Sequence, residues 1–203
     1  MPYNISQWRQ RMRHRTDMST YVYHLTRKTD SMSVVDVLLK ILKERKLIGS
    51  TTSSGFVIGQ NPAVCFQDVP LSSLCQNTLY EEMYRKELGG KVRYQPVGLG
   101  FTKKNIFHKG GRPVIYEASV IAKRILPEDE WWRIVNFHIG DANNMQDWTH
   151  EREWRVKGDM TFQLYEATVL LTKGEQYREF MEKADKEILS SISGVVVLDP
   201  VLS

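Results

Sequence analysis

The sequence has few cysteines and no long apolar segment. It contains two cysteines among 203 residues, Cys65 and Cys75, which give neither a disulfide framework nor the ligand spacing of a zinc site. Because the neighbours of Cys65 are apolar, we interpret it as a small buried hydrophobic residue. No stretch approaches the roughly 20 apolar residues of a membrane-spanning helix, and the N-terminal segment MPYNISQWRQRMRHR lacks the apolar core of a signal peptide. We therefore expect a cytoplasmic protein that does not contact membranes.

Common nucleotide-binding motifs are also absent. No GxGxxG follows the first predicted strand, and the sequence contains no GxxxxGK[ST], so neither a Rossmann fold nor a P-loop is supported. The sequence has no internal repeat, low-complexity tract or linker rich in proline or serine. Its length fits one domain of ordinary to large size. We therefore predict a single domain over residues 1–203.

Composition and charge are those of a globular protein with a basic N-terminal segment. Hydrophobic residues make up 41% and charged residues 26% of the chain, and the net charge is +4. Part of the excess lies at Arg9, Arg11, Arg13 and Arg15. We predict that residues 1–19 form a basic arm or helix, which either meets nucleic acid or an acidic partner protein or is simply a solvated face. A charge of +4 does not diagnose nucleic-acid binding on its own.

Hydrophobic periodicity predicts helices and short strands in mixed order. A strand covers 21–26, and a helix follows with Ser33 as its cap, Asp36 three residues on, and Gly49 just beyond its end. Because several closely spaced strands come late, we predict an α+β domain with substantially antiparallel sheets. The other predicted strands are 63–67, 96–102, 113–118, 151–156, 161–165, 168–171 and 194–198, and the other predicted helices are 71–88, 128–137 and 174–189.

The densest polar cluster is the segment WTHEREWRV over residues 148–156. If its second half is a strand, Glu151, Glu153 and Arg155 share one face, while the other face enters the core. A carboxylate there can hydrogen-bond a ribose hydroxyl and stabilise positive charge at the anomeric carbon of the sugar. The alternative is an exposed edge strand with a Glu–Arg pair that contributes little.

Smaller clusters supply further candidates. His24 lies on the first strand and Arg27, which could meet a phosphate, lies at its end, but both also fit ordinary structural roles. Tyr116 could stack on a flat ring or be an ordinary strand tyrosine. Gln67 and Asp68 end a strand, where they either contact a ligand or cap the helix that follows, and we favour capping slightly.

Together the motifs resemble a known group of proteins. In chain order they are Tyr-His-Leu-Thr, Val-Val-x-Val-Leu-Leu-x-Ile-Leu, Cys-Phe-Gln-Asp-Val-Pro-Leu, Gly-Leu-Gly-Phe-Thr-Lys, Gly-Arg-Pro-Val-Ile-Tyr and Trp-x-x-Glu-x-Glu-Trp-Arg. From about Tyr21 to about Val156, this succession resembles bacterial abortive-infection (phage-resistance) proteins of the AbiG type. It also resembles a broad set of bacterial proteins that share the last of these signatures.

The same order is similar to the ADP-ribosyltransferase fold, a split β-sandwich that holds NAD in a cleft. The resemblance implies that Glu153 is the catalytic carboxylate and that Glu151 orients or deprotonates the acceptor. By position, His24 matches the histidine that contacts the NAD ribose in the diphtheria-toxin-like branch, and Tyr116 matches a ring-stacking tyrosine. In the cholera-toxin-like branch, the two glutamates match Glu-x-Glu and Arg27 stands in for the leading arginine. A Ser-Thr-Ser strand and paired tyrosines are missing, so the branch stays open.

The resemblance implies an NAD-dependent mono-ADP-ribosyltransferase that acts as a toxin or effector in bacterial anti-phage defence. It would transfer ADP-ribose from NAD, without a metal, to a macromolecule that is either nucleic acid or protein, and an antitoxin could be its partner. We expect His24 and Glu153 to line one pocket. The cofactor-binding residues implied in this way are His24, Thr26, Arg27, Gln67 and Tyr116.

Two other functions fit the same residues. One is a non-catalytic binding protein on the same fold, such as an antitoxin or a phage sensor. The other is a metal-dependent nuclease that uses Glu151, Glu153 and Asp68. The nuclease has weaker support, because such sites usually add a lysine on a paired strand.

Overall fold

Two compact units make up the computed structural model, which describes residues 4–84, 86 and 95–202. The first unit contains the chain up to Arg45, the segment from Val69 to Lys103, and the chain from Phe162 onward. The second unit contains 46–68 and 104–161. Each unit is therefore assembled from segments that are distant in sequence.

Short elements follow one another closely along the described residues. The helices are α1 (Ile5–Arg13), α2 (Val34–Glu44), α3 (Leu71–Met83), α4 (Lys103–His108), α5 (Ser119–Ile125), α6 (Gly174–Lys183), α7 (Lys186–Ser191) and α8 (Asp199–Leu202). The strands are β1 (Tyr21–Leu25), β2 (Lys46–Leu47), β3 (Ala63–Phe66), β4 (Gly98–Thr102), β5 (Arg112–Pro113), β6 (Ile115–Glu117), β7 (Ile134–Asn136), β8 (Trp154–Lys157), β9 (Met160–Thr161), β10 (Thr168–Leu171) and β11 (Gly194–Val197). Short 3₁₀ helices cover Thr52–Ser54, Glu128–Arg133, Thr149–Glu151 and Leu164–Glu166.

A four-stranded sheet in the order β1-β4-β10-β11 forms the centre of the first unit. Its first two pairings are antiparallel, and β10 pairs with β11 in parallel. Gly98 lies opposite Leu25, where a Cβ atom would overlap the carbonyl oxygen of His24, so this close approach requires glycine. Buried Leu74 of α3 and Leu170 of β10 belong to one hydrophobic cluster.

Helix α2 begins at the predicted cap and ends earlier than predicted. The Ser33 hydroxyl oxygen accepts a hydrogen bond from the Asp36 N–H at 3.1 Å. The helix ends at Arg45, whose φ of 51° puts it in the left-handed region and whose N–H donates to the Ile41 carbonyl. Gly49 is therefore not the residue that ends this helix. It lies in the second unit, where a Cβ atom would collide with the Gly158 carbonyl.

The second unit is built on a three-stranded antiparallel sheet in the order β3-β8-β5. Strand β8 is central, because Arg155 lies opposite Cys65 on one side and opposite Arg112 on the other. The alternative of an edge strand for the Trp-x-x-Glu-x-Glu-Trp-Arg signature is therefore wrong. The smaller pairs β2-β9 and β6-β7 complete the unit. Buried Trp132 clusters with Ala63 of β3.

Two predicted elements late in the chain are wrong in part. Residues 161–165 do not form one strand, because β9 ends at Thr161 and a 3₁₀ helix follows, with reciprocal capping bonds between Gln163 and Glu166. The predicted helix over 174–189 is two helices. The break comes where the Asp185 side chain accepts a hydrogen bond from the Ile188 N–H at 2.9 Å and so caps α7.

Two further predicted helices also differ from the structure. The helix predicted over 128–137 is a 3₁₀ helix over Glu128–Arg133 followed by β7. The helix predicted over 71–88 ends at Met83 as α3, and most of the remainder of that prediction lies outside the described residues. In the basic N-terminal segment, Asn4 caps α1.

The predicted fold class is confirmed at the level of secondary structure. Among the described strands, β10-β11 and β6-β7 pair in parallel and the other pairs are antiparallel. The chain is therefore an α+β protein with mostly antiparallel sheets and flanking helices. Within the ranges described, no helix has the length and apolar character needed to span a membrane.

Candidate functional site

The signature segment turns sharply just before it enters β8. Residues Thr149–Glu151 form a 3₁₀ helix, and Arg152 follows with a φ of 47°, a conformation that residues other than glycine seldom adopt. This turn takes Glu151 off the strand. The prediction that Glu151 shares a strand face with Glu153 and Arg155 is therefore wrong for Glu151, whereas the other two do lie side by side.

Glu153 and Arg155 form a buried bidentate ion pair. Arg155 Nε donates to Glu153 Oε1 at 2.7 Å, and Nη2 donates to Oε2 at 3.2 Å. Glu153 is 7% exposed and Arg155 is 3% exposed. The backbone carbonyls of Trp132, Ile134 and Phe56 accept further hydrogen bonds from the guanidinium at 2.8, 3.2 and 2.9 Å. This network fixes the guanidinium, which in turn fixes the orientation of the carboxylate.

Burial and pairing with Glu153 shift the pKa of the Arg155 guanidinium in opposite directions. Desolvation works to lower its pKa, but the charge of Glu153 and the hydrogen bond to it outweigh that effect, so the pKa is raised. The arginine therefore remains a cation in the interior. A buried pair of this kind contributes little net stability compared with well-packed apolar residues, so stability is a weak reason for its presence.

Tyr116 supports the backbone at Glu153. Its hydroxyl oxygen accepts a hydrogen bond from the Glu153 N–H at 2.7 Å. Desolvation, followed by the nearby carboxylates, raises the pKa of Tyr116 well above its usual range. Tyr116 thus lies beside Glu153 and holds its main chain, and the ring-stacking role that the resemblance implies for it stays a prediction.

Gln67 and Asp68 connect the end of β3 to the turn that carries Glu151. Gln67 Nε2 donates to Glu151 Oε1 at 3.4 Å, and the Asp68 N–H donates to the Glu151 carbonyl at 3.1 Å. Asp68 also accepts a hydrogen bond from the Trp154 indole at 3.0 Å. The favoured prediction that these residues cap the next helix is wrong, because Pro70 is the N-cap of α3 and no side chain caps it.

The Cys65 thiol adjoins the ion pair. Desolvation raises its pKa well above the usual range, and so do the Glu153 charge and a hydrogen bond with that carboxylate. Cys65 is therefore a half-buried neighbour of the charged pair and not the fully buried hydrophobic residue that the sequence predicted. Sequence reasoning missed this contact, and also missed that Arg155 is buried, although the antiparallel register that puts Cys65 opposite Arg155 carries the signal.

The residues predicted at the opening strand lie in the first unit. His24 is half-buried on β1, opposite Leu99. Thr26 follows the strand, and its N–H donates to the Val97 carbonyl at 2.8 Å. Arg27 is exposed. Their contacts with NAD, and the shared pocket expected for His24 and Glu153, stay predictions.

The structure brings four of the predicted site residues together within the second unit. We name this group the carboxylate cluster, and it also contains two residues that were not among the predicted site residues. Its members are Cys65, Gln67, Tyr116, Glu151, Glu153 and Arg155. Among the residues that the structure describes, no group of three or more histidine, cysteine, aspartate or glutamate side chains is arranged to hold a metal ion.

A separate surface pocket lies in the first unit. It has a volume of about 560 Å³ and is open to solvent along α2 and the end of α6. Lys183 bonds there to Asp36 and Glu179 at 2.8 and 2.7 Å. None of the predicted site residues lines this pocket.

Comparison with known proteins adds no family assignment. No protein-family model, no curated protein and no solved structure matches this chain.

Proposed function

We propose that the chain is an NAD-dependent mono-ADP-ribosyltransferase of the split β-sandwich type, in which Glu153 is the catalytic carboxylate. On this proposal it acts as a toxin or effector in bacterial anti-phage defence, as its resemblance to AbiG-type proteins implies. One observation carries the proposal: Glu153 is buried and held by Arg155 in two directed hydrogen bonds. A charge that is fixed and desolvated before the reaction stabilises a transition state far better than a mobile, hydrated one.

The pairing with Arg155 leaves Glu153 able to bind a ribose. Each carboxylate oxygen has two lone-pair sites. The guanidinium uses one on each oxygen, and the Cys65 thiol uses a third. A remaining site can accept a hydrogen bond from a hydroxyl of the nicotinamide ribose. The negative charge then stabilises the oxocarbenium-like carbon that develops as nicotinamide departs, a contribution typically worth about 3–4 kcal/mol for one well-placed group.

Glu151 and Glu153 have separate roles in the transfer step. The bond between C1′ of the ribose and the nicotinamide ring nitrogen breaks, and its electron pair leaves with nicotinamide. A lone pair of the acceptor forms the new bond to C1′, and the acceptor loses a proton to Glu151. Glu151 suits this role because it lies on a turn beside the strand, where it is half-buried, whereas Glu153 is held in the interior.

The titratable groups around Glu153 also favour a functional site over a structural one. The pKa values of Cys65, Tyr116 and Arg155 are all raised, chiefly through the balance of desolvation and the charge of Glu153. Groups perturbed by burial together with a specific charge partner concentrate at active sites. These pKa shifts accompany the geometry of Glu153, on which the proposal stands.

Transfer of label from NAD tests the proposal. The purified full chain is incubated with NAD labelled in its adenylate part and with total bacterial extract, and portions are then digested with protease or nuclease. We expect label on macromolecules, and the digestion that releases it identifies the acceptor as protein or nucleic acid. Unlabelled macromolecules and intact NAD would favour a non-catalytic binding protein instead.

Expression in a bacterial host gives a second test with a matched control. An active transferase slows growth, and Glu153→Ala should relieve that toxicity in cells where the variant accumulates as soluble, folded protein at the wild-type level. Glu130→Ala is the control, because Glu130 also pairs with an arginine of the second unit, Arg133, at 3.1 Å, but does so near the surface. Equal relief by both variants would contradict the proposed role of Glu153.

A further inference from the structure

The whole net charge of the protein comes from the segment around helix α1. Residues 1–16 contain four arginines and no acidic residue, whereas the rest of the chain has equal numbers of basic and acidic side chains, 24 of each. The net charge of +4 is therefore concentrated at one end of the sequence. The proposed function uses none of these arginines, so this concentration of charge needs a separate explanation.

Helix α1 turns most of this charge toward solvent. A capping box fixes its first turn: the Asn4 side chain accepts a hydrogen bond from the Gln7 N–H at 2.9 Å, and the Gln7 side chain accepts one from the Asn4 N–H at 3.0 Å. Met12 is buried and Trp8 is half-buried, whereas all three arginines of the helix are exposed. We name these three side chains, Arg9, Arg11 and Arg13, the α1 arginine surface.

The charges of this surface are not balanced by acidic neighbours. Arg9 and Arg13 lie about one helical turn apart, a spacing at which like charges destabilise a helix. Neither forms an ion pair with an acidic side chain among the residues that the structure describes. On α6, by contrast, the exposed Lys183 bonds to both Asp36 and Glu179, at 2.8 and 2.7 Å. Helix α1 therefore maintains a repulsion that a bound anion would relieve.

We propose that the α1 arginine surface binds the phosphate backbone of a nucleic acid, without preference for sequence. Duplex DNA carries one negative charge for about every 1.7 Å of its axis. The helix spans roughly 13 Å, so several phosphates lie within its length. Guanidinium groups bind phosphate oxygens in bidentate fashion, and such contacts fix position without reading sequence. This binding needs no NAD and goes beyond the proposed transfer reaction.

A membrane surface or an acidic protein fits this helix less well. A helix that lies on a membrane needs a free apolar stripe. In α1 the stripe consists of Ile5, Trp8 and Met12, of which Met12 is buried and Trp8 half-buried, so within this fully described helix Ile5 alone is an exposed apolar side chain. A protein interface needs an apolar core inside a polar rim, and one isoleucine does not supply it. Phosphate groups need only the charges and hydrogen-bond donors that the helix exposes.

Fluorescence anisotropy of a labelled duplex tests the proposal. The purified full chain, without NAD, is titrated into DNA of about 20 base pairs at salt concentrations between about 50 and 200 mM. We expect the logarithm of the association constant to fall against the logarithm of salt concentration with a slope of about −3, because each of three arginines displaces counterions from one phosphate. Two duplexes of unrelated sequence should bind equally well. No detectable binding at the lowest salt concentration overturns the proposal.

The double variant Arg9→Gln with Arg13→Gln removes two charges and keeps good helix formers. We expect its affinity for the duplex to fall about tenfold and its salt slope to become shallower by about two, one for each lost phosphate contact. The matched control is Lys40→Gln with Lys43→Gln, which removes two charges from exposed positions of α2 in the same unit and should change neither quantity. Equal losses in both double variants would mean that net charge alone drives binding, and would overturn the proposal.

Two further variants keep the test decisive if the double variant does not fold. Arg9→Gln alone should make the salt slope shallower by about one. Arg9→Lys with Arg13→Lys keeps both charges and should bind the duplex with an affinity near that of the wild type, since a lysine also binds phosphate as a point charge. A wild-type slope in Arg9→Gln would overturn the proposal.

Two other anions replace the duplex in the same titration. Vesicles of phosphatidylcholine and phosphatidylserine represent a membrane, and polyglutamate represents an acidic protein. We expect both to bind the full chain more weakly than the duplex at equal salt concentration. Tighter binding to either one identifies a membrane or an acidic protein as the partner and overturns the inference. Because no titration contains NAD, these results do not depend on whether the transferase proposal holds.

Discussion

Glu153 and Arg155 are two residues apart in sequence and meet in the interior of the second unit, with Nε of the arginine 2.7 Å from Oε1 of the glutamate. Glu153 directly precedes β8, which begins at Trp154, and continues its alternation, in which side chains two residues apart project from the same face. The signature Glu-x-Arg is therefore the local cause of the pair. Central strand β8 then carries this face into the core. The protein therefore maintains two opposite charges at a kind of position where well-packed apolar residues are often equally or more stabilising.

Removing one member of this pair should be far more costly than removing both. Arg155→Met or Glu153→Leu leaves an unpaired charge in the interior, and we expect each to lower the free energy of unfolding by about 3–5 kcal/mol. The double variant should recover most of that loss while losing NAD cleavage. Urea denaturation measures the free energy of unfolding of the single and double variants, and nicotinamide release measures NAD cleavage. Additive losses in the double variant would show that the pair is not coupled.

The surface pair Glu130–Arg133 supplies the comparison for that cycle. Its members are joined at 3.1 Å and are partly exposed, so we expect Glu130→Ala, which removes only this pair, to cost at most about 1 kcal/mol.

Substitutions of Tyr116 distinguish two roles for this residue: supporting the Glu153 backbone and contacting NAD. Tyr116→Phe leaves the Glu153 N–H without its acceptor, so the free energy of unfolding should fall by about 1–3 kcal/mol. Because the ring remains, the KM for NAD should be unchanged in Tyr116→Phe and should rise in Tyr116→Ala if the ring stacks on nicotinamide. Similar KM increases in both variants would show that the hydroxyl itself contacts NAD.

The raised pKa of Cys65 predicts a loss of stability at high pH. In the unfolded chain the thiol loses its proton near its ordinary pKa of 9.0, whereas in the folded protein desolvation and Glu153 keep the proton on. The unfolded state then binds fewer protons, so the free energy of unfolding decreases as pH rises above about 9. Denaturation of wild type and Cys65→Ala from pH 7 to 10.5 checks this, and the variant should show the shallower decline. Parallel curves would mean that the thiol ionises equally in both states.

Gly98 controls how closely β1 and β4 approach. A Cβ atom at this position would overlap the His24 carbonyl oxygen, so we expect Gly98→Ala to separate the strands and destabilise the fold by up to about 3 kcal/mol. Gly174→Ala is the control, since its nearest neighbour would be an arginine side-chain atom at 3.5 Å, an ordinary contact. Thermal denaturation of the two variants makes the comparison, and equal melting temperatures would refute the steric argument.

Local sequence signals predicted much of the fold. The aromatic and β-branched run at 21–26 gave strand β1, and Ser33 with Asp36 marked the start of α2, because both signals act within a few residues. The residues at which helices and strands end were harder to predict from the sequence. Arg45 and Arg152 adopt positive φ values, which their residue type does not predict. The end of α2 was therefore misplaced, and the turn before β8 was predicted as the start of a strand over 151–156.

The candidate site was predicted in its residue types but not in its surroundings. The two-residue period placed Glu153 and Arg155 on one face, whereas their burial depends on β3 and β5, which pair with β8 from segments far away in sequence. For the same reason Cys65 was interpreted as a plain core residue. Pairing between distant strands is a tertiary property that local periodicity does not encode.

The rate of nicotinamide release from NAD by the purified full chain tests the central claim most directly. Wild type, Glu153→Gln and the control Glu130→Gln are compared at a temperature where circular dichroism shows all three folded. We expect Glu153→Gln to bind NAD but to release nicotinamide roughly 100-fold more slowly or worse, with the control near wild type. Release by Glu153→Gln at the wild-type rate would contradict the assignment of Glu153 as the catalytic carboxylate.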